Sequence, residues 1–194
     1  NVVCLSSMRQ MGLAVQCYLM ESADHLPPSS CHIASANWKH YWLYALGQYT
    51  KETLLFRCPG DRTKLPFVDW AAPALPLSSD KRWSSFGYNA LLDPITNAGT
   101  LNPYNRVSRI PKPQSTIWIS EAPITWTNED HVHPENWFYN IKLAQGQVDY
   151  QRHLGQSNFL FLDSHVEHLP LEQTYQWPGP CLWFPAYAPN WPPD

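Results

Sequence analysis

Arg152-His-Leu-Gly-Gln-Ser-Asn-Phe-Leu-Phe-Leu-Asp-Ser-His-Val-Glu-His168 sets an apolar run between polar clusters holding three histidines, two carboxylates and an arginine. Asn158–Leu162 and His165–Leu169 are short apolar runs separated only by Asp163-Ser164, residue types that favour turns, so the pair predicts a hairpin. Thr116–Ser120 and Trp137–Ile141 also read as strands. Upstream the period changes. Val3, Cys4, Met8, Met11, Val15, Tyr18 and Leu19 recur at spacings of three and four, the apolar stripe of a helix over roughly residues 2–22. Asn37, as a cap, opens a second helix whose face is Trp38, Tyr41, Trp42, Ala45, Leu46 and Tyr49. Residues 59–80 are proline-rich and aperiodic, hence loop. Helices first and strands afterwards argue an α+β fold, a long N-terminal helix packed on an antiparallel sheet. One domain over residues 1–194 is expected, with 1–24 as the remainder of the helix and 176–194 as a Pro/Trp-rich tail.

Bulk composition narrows the function. Thirteen Lys and Arg are scattered through 194 residues and the net charge is −3, so there is no basic stripe for nucleic acid. No apolar run approaches the ~20 residues of a membrane span. Ten Trp, ten Tyr and nineteen Pro against eight Gly describe rigid, irregular loops and more large aromatics than a small core normally absorbs. Of the five cysteines, Cys4, Cys17, Cys31, Cys58 and Cys181, none forms a Cys-x-x-Cys pair, which argues against a zinc ribbon.

Three phrases together resemble the prepilin-type, pseudopilin-like proteins of Planctomycetes, Verrucomicrobia and Lentisphaerae. They are Cys4-Leu-Ser-Ser-Met-Arg-Gln-Met-Gly-Leu-Ala14 running on to Leu26-Pro27-Pro28, then Phe56-Arg-Cys-Pro-Gly-Asp61, and His153 followed nine residues later by Asp163. The sequence departs from that pattern at Ser7, where the family has Asn, and at Ser164, where it has Gly. The resemblance implies a pilin-like ectodomain, anchored in full-length form by a hydrophobic helix missing here. It also implies an extracellular or cell-envelope location and other pilin-like subunits as partners. Cys4 and Cys58 lie inside the family-like phrases, and in an exported domain a Cys4–Cys58 disulfide would tie helix to loop. As members of a family-wide pattern, His153 and Asp163 read as structural, Asp163 capping turn amides and His153 buttressing the hairpin. Calcium near Asp163 would have only Glu167 and carbonyls to add. Tyr88 and Asn89 sit in a recurrent family phrase and also read as structural.

Residues 125–139, Thr-Trp-Thr-Asn-Glu-Asp-His-Val-His-Pro-Glu-Asn-Trp-Phe-Tyr, lie outside those phrases. His131 and His133 would point the same way on an extended segment, as metal-binding His-x-His pairs do, but no third ligand stands nearby that identifies a metal. Trp126, Asn136 and Trp137 would line a groove for polysaccharide, flat rings stacking on sugars and the amide fixing orientation. If the groove were catalytic, His131, His133 and Tyr139 would move the proton in a lyase acting on uronate glycans. Three functions therefore compete: a surface-displayed pseudopilin-like polysaccharide binder, a polysaccharide lyase, and a filament or secretion-system subunit.

Overall fold

A computed structural model describes residues 1–31, 35–50, 55–73, 77, 80–94, 102–137, 140–176 and 181–185. Among these, no helix is long and apolar enough to cross a membrane. Helix α1 (Val2–Glu21) buries Cys4, Met8, Met11, Gly12, Ala14, Val15 and Leu19, the stripe expected from its periodicity. The second helical region begins as a 3-10 turn at Ser35–His40 and continues as α2 (Trp42–Thr50), with a non-helical Asn37 inside the first piece. Asn37 is thus no cap of one continuous helix. Trp42, Leu43 and Leu46 of α2 are fully buried.

The sheet has five strands: β1 (Phe86–Asn89), β2 (Ile117–Glu121), β3 (His131–Val132), β4 (Ser157–Phe161) and β5 (Val166–Leu169), in the order β3-β1-β2-β4-β5. β4 and β5 form the antiparallel hairpin, Ser157 opposite Leu169 and Leu160 opposite Val166. The β1–β2 and β2–β4 pairs are antiparallel as well. The expectation of an antiparallel sheet needs correction at one edge, because β3 runs parallel to β1. Backbone hydrogen bonding there is completed by the residue before β3, whose carbonyl accepts from Tyr88 N at 2.8 Å.

The expected strand at Trp137–Ile141 is also corrected. Asn140 caps a helix instead, its side chain accepting from Lys142 N, and α3 spans Ile141–Gln147. A short α4 (Leu171–Thr174) follows β5.

Both faces of the sheet are covered. Leu160 and Leu162 join the core with α1 and α2, while Phe159 and Phe161 join a second core with Trp137, Leu171 and Trp183. The alternation of Phe and Leu therefore divides one strand between two apolar layers, which is why the run is continuously hydrophobic. α1 lies against the β4–β5 turn. Ser164, where the resembling family carries Gly, adopts φ 75°, and a Cβ on Gly12 would come within 3.0 Å of the Ser164 Cβ. Ser164 Oγ donates to Gly12 O at 3.0 Å and accepts from Gln16 Nε2 at 2.8 Å.

Cys4 and Cys58 form a disulfide, S–S 2.08 Å, joining α1 to the central loop across 54 residues. The chain-entropy view makes so long a closure worth ~4 kcal/mol. Cys17, Cys31 and Cys181 are not in disulfides.

Candidate metal centre

His131 and His133 face a common partner that lies 100 residues earlier in the chain. Their rings stand 4.8 Å apart, edge to face, and one ligand atom from each lies within 4.8 Å of Cys31 Sγ and of the other. His133 Nε2 is 3.7 Å from that sulfur. A tetrahedral zinc ion with Zn–S ~2.3 Å and Zn–N ~2.0 Å sets sulfur and nitrogen roughly 3.5 Å apart, so the spacing fits a shared ion. Each imidazole is held from behind by a carboxylate: His131 Nδ1 with Asp130 Oδ1 at 2.8 Å, and His133 Nδ1 with Glu135 Oε1 at 2.6 Å. Such outer carboxylates fix the ring and leave Nε2 free to ligate.

Two buried acids position Cys31. Asp93 accepts from Ser29 N at 2.7 Å and from Ser29 Oγ, while Ser29 Oγ accepts from Cys31 N at 3.1 Å. Asp130 accepts from Ser30 Oγ at 2.6 Å with the same oxygen that meets His131. One carboxylate thus registers the cysteine segment against the histidine strand. From the other side, Gln147 at the end of α3 accepts from His133 N at 2.7 Å and from Trp137 Nε1 at 3.1 Å.

The electrostatics favour protonated imidazoles at neutral pH, so a metal would bind by displacing those protons. Burial raises the Cys31 thiol pKa, but hydrogen bonds and charge from His131 and His133 outweigh it and leave the thiol lowered. Burial opposes charge on His131, yet Asp130 and Cys31 raise it to about 10. Cys31 and then Glu135 raise His133 to about 9. All three ligands keep partial solvent access. Three protein ligands around a reachable point leave one tetrahedral position open, as catalytic zinc sites do.

The other expected site residues fall elsewhere. Trp137 is fully buried, stacked edge-on against Tyr175 and Trp183, and presents no face to a ligand. Trp126 is half-buried, with its ring over Gly87. Asn136 is exposed on the turn after His133. Tyr139 lies outside the described residues. The abundance of tryptophan is mostly core, since Trp42, Trp70, Trp118, Trp137 and Trp183 are completely enclosed.

His153 lies away from the turn that it is expected to buttress. It sits at the opposite end of β4 from Asp163 and meets Glu121 Oε1 at 2.8 Å and Cys58 Sγ at 3.5 Å. Asp163 caps the turn as expected, accepting from His165 N at 3.1 Å. His165 places its imidazole between Asp163 and Glu167, 2.5 Å and 3.5 Å away. Tyr88 donates to Leu92 O, and Asn89 donates to Ile117 O and Trp183 O, both architectural.

No protein-family model, curated protein or solved structure matches the chain.

Proposed function

We propose that this chain is an exported, pilin-like surface domain whose Cys31, His131 and His133 bind a transition-metal ion, Zn²⁺ foremost. The observation that carries the metal reading is the convergence of one sulfur and two carboxylate-backed imidazoles from segments 100 residues apart. A mixed thiolate–imidazole set suits zinc and disfavours magnesium or calcium, which take oxygen ligands. The pilin-like reading is supported by the long helix on the sheet and by the disulfide between the two family-like cysteine phrases.

The ion's open position accounts for the polysaccharide expectation in a revised form. With Trp137 enclosed, Trp126 is half-buried and Asn136 exposed among the expected groove residues that are described. A bound cation would instead take the carboxylate of an acidic glycan, and the same neutralisation is what uronate cleavage by a lyase requires.

Titration of the oxidised protein with Co²⁺ or Zn²⁺ tests the centre. About one ion per chain is expected, with thiolate-to-cobalt absorption that disappears in Cys31→Ser and weakens in His131→Ala. Uptake unchanged in Cys31→Ser would refute it. Retention on acidic but not neutral polysaccharide, abolished by chelator, would assign the ligand.

One observation favours a second reading. Cys31 Sγ, His133 and Glu135 also stand in the order of a nucleophile, its base and an orienting carboxylate, at 3.7 Å and 2.6 Å. A thiol nucleophile would turn over acyl substrates equally well after chelation. His131 lowers the thiol in either reading, so the effect of chelation is what distinguishes them.

A further inference from the structure

Four buried side chains from four separate segments meet at the disulfide: Cys4 on α1, Cys58 in the central loop, Glu121 at the end of β2 and His153 before β4. One ligand atom from each lies within 4.8 Å of every other. His153 Nε2 points at both Cys58 Sγ, 3.5 Å away, and Glu121 Oε1, 2.8 Å away. The remaining Glu121 contacts orient the carboxylate toward this point. Ser157 Oγ and Asn158 N donate to Oε2, both at 3.1 Å, and Asn158 Nδ2 donates to Oε1 at 3.1 Å.

We infer that reduction of Cys4–Cys58 converts this cluster into a second, closed Zn²⁺ site with Cys4, Cys58, His153 and Glu121 as its ligands. The geometric demand is small outside the sulfur pair. Tetrahedral zinc needs sulfur and nitrogen roughly 3.5 Å apart, which Cys58 and His153 already meet while Cys4 lies within 4.8 Å, and nitrogen and oxygen about 3.3 Å apart, a modest widening. Once the S–S bond is broken the sulfurs must stand about 3.8 Å apart, and two unbonded thiols repel to nearly that distance without a metal. The chemistry balances with a dithiol or phosphine reductant. The reductant gives two electrons, two cysteine thiols form, and zinc then displaces their two protons to solvent. Oxidation reverses this: a disulfide donor takes the two electrons, the S–S bond closes, and the ion leaves. The metal would hold α1 against the sheet in the reduced chain, the task the disulfide performs once formed.

The inference is independent of the Cys31 centre, and the experiment keeps them apart by using Cys31→Ser throughout. Reduced Cys31→Ser protein should retain about one zinc ion per chain after gel filtration, the oxidised protein none, and reoxidation should release the ion. Cys58→Ser in that background should retain none. His153→Gln should keep the oxidised fold by melting, yet weaken zinc in the reduced form by more than the ~10–100-fold of an outer-shell loss. If the reduced chain unfolds without metal, zinc should restore its near-ultraviolet aromatic dichroism. The inference is overturned if reduced Cys31→Ser takes up no zinc, if zinc fails to refold it, or if Cys58→Ser binds as much, which would place the ion on Cys17 or Cys181.

Discussion

Glu135→Gln tests the carboxylate that backs His133. Glu135 sits on the 3-10 turn Pro134–Asn136 and accepts from His133 Nδ1 at 2.6 Å. Glutamine keeps the shape and an acceptor oxygen but removes the charge that makes Nε2 a better ligand. Loss of such an outer carboxylate costs ~10–100-fold in metal affinity, or about 1.4–2.7 kcal/mol. With zinc at 100 times its Kd, binding stabilises the wild type by ~2.7 kcal/mol, which for a domain of this size is a rise of roughly 5–11 °C in Tm. At the same zinc concentration the variant should gain only ~0.4–1.4 kcal/mol. Chelator competition and thermal melting with and without zinc read both numbers. The metal-free variant should also lose some stability at neutral pH, because Glu135 is half-buried and its charge helps raise His133, so affinity is read from chelator competition and from the zinc-induced gain within each protein. Asp130→Asn would be a poorer choice, because Asp130 is fully buried and also holds Ser30. Equal zinc stabilisation in wild type, Glu135→Gln and His133→Ala would refute the reasoning by locating the ion elsewhere.

Asp93 should govern the acid side of the stability profile. Burial raises its carboxyl to about 6 from 3.8 despite the Ser29 hydrogen bonds, so the folded state holds the extra proton between those values. Stability should therefore fall as pH rises from about 4 to 6, by up to ~3 kcal/mol, and Asp93→Asn should flatten that part of a urea-denaturation series relative to wild type. Gly12→Ala should cost ~1–3 kcal/mol by lifting α1 off the β4–β5 turn; adding Ser164→Gly should recover part of the melting temperature, since it removes the facing Cβ at φ 75°. Asp61→Ala should cost ~3–5 kcal/mol, because Arg82 is fully buried with its Nε 2.7 Å from Asp61 Oδ2. Chemical denaturation that places Asp61→Ala within 1 kcal/mol of wild type, on the order of an exposed pair, would contradict that network.

The elements legible in the sequence were those with a strong period or an unambiguous turn. α1 extends from Val2 to Glu21, and the hairpin about Asp163-Ser164 has the expected register sense. Trp137–Ile141 failed because apolar aromatics carry strand propensity whether they pair in a sheet or fill a core. Here Asn140 stops the run and starts a helix, a cap signal that the propensity of the neighbouring residues concealed. β1 escaped notice for the opposite reason. Phe86-Gly-Tyr-Asn89 is four residues long and all buried, so it shows no alternation. β3 has only two residues and exists through its pairing with β1, a tertiary fact with no local period.

The metal centre divides along the same line. Asp130-His-Val-His-Pro-Glu135 contains the local half of the site in readable form, two imidazoles at alternate positions with a carboxylate adjoining each. The third ligand was not readable, because nothing in Pro28-Ser-Ser-Cys31 announces a ligand. Cys31 becomes one only when buried Asp93 and Asp130 hold the two serines before it, and when β3 lies parallel to β1 and carries His131 to the same place. The carboxylates that fix the histidine tautomers therefore also register the distant cysteine. Metal affinity and the correct docking of the sheet edge are then coupled: a substitution that loosens Ser30 from Asp130 should weaken zinc without touching any ligand. Ser30→Ala makes that visible, with lowered zinc affinity expected in a protein whose β4–β5 hairpin is unaltered by amide hydrogen exchange. Undiminished affinity in Ser30→Ala would mean that the Ser30 N–H bonds to Asp130, 3.2 Å to each oxygen, and the contacts with Asp93 hold the cysteine segment without the hydroxyl.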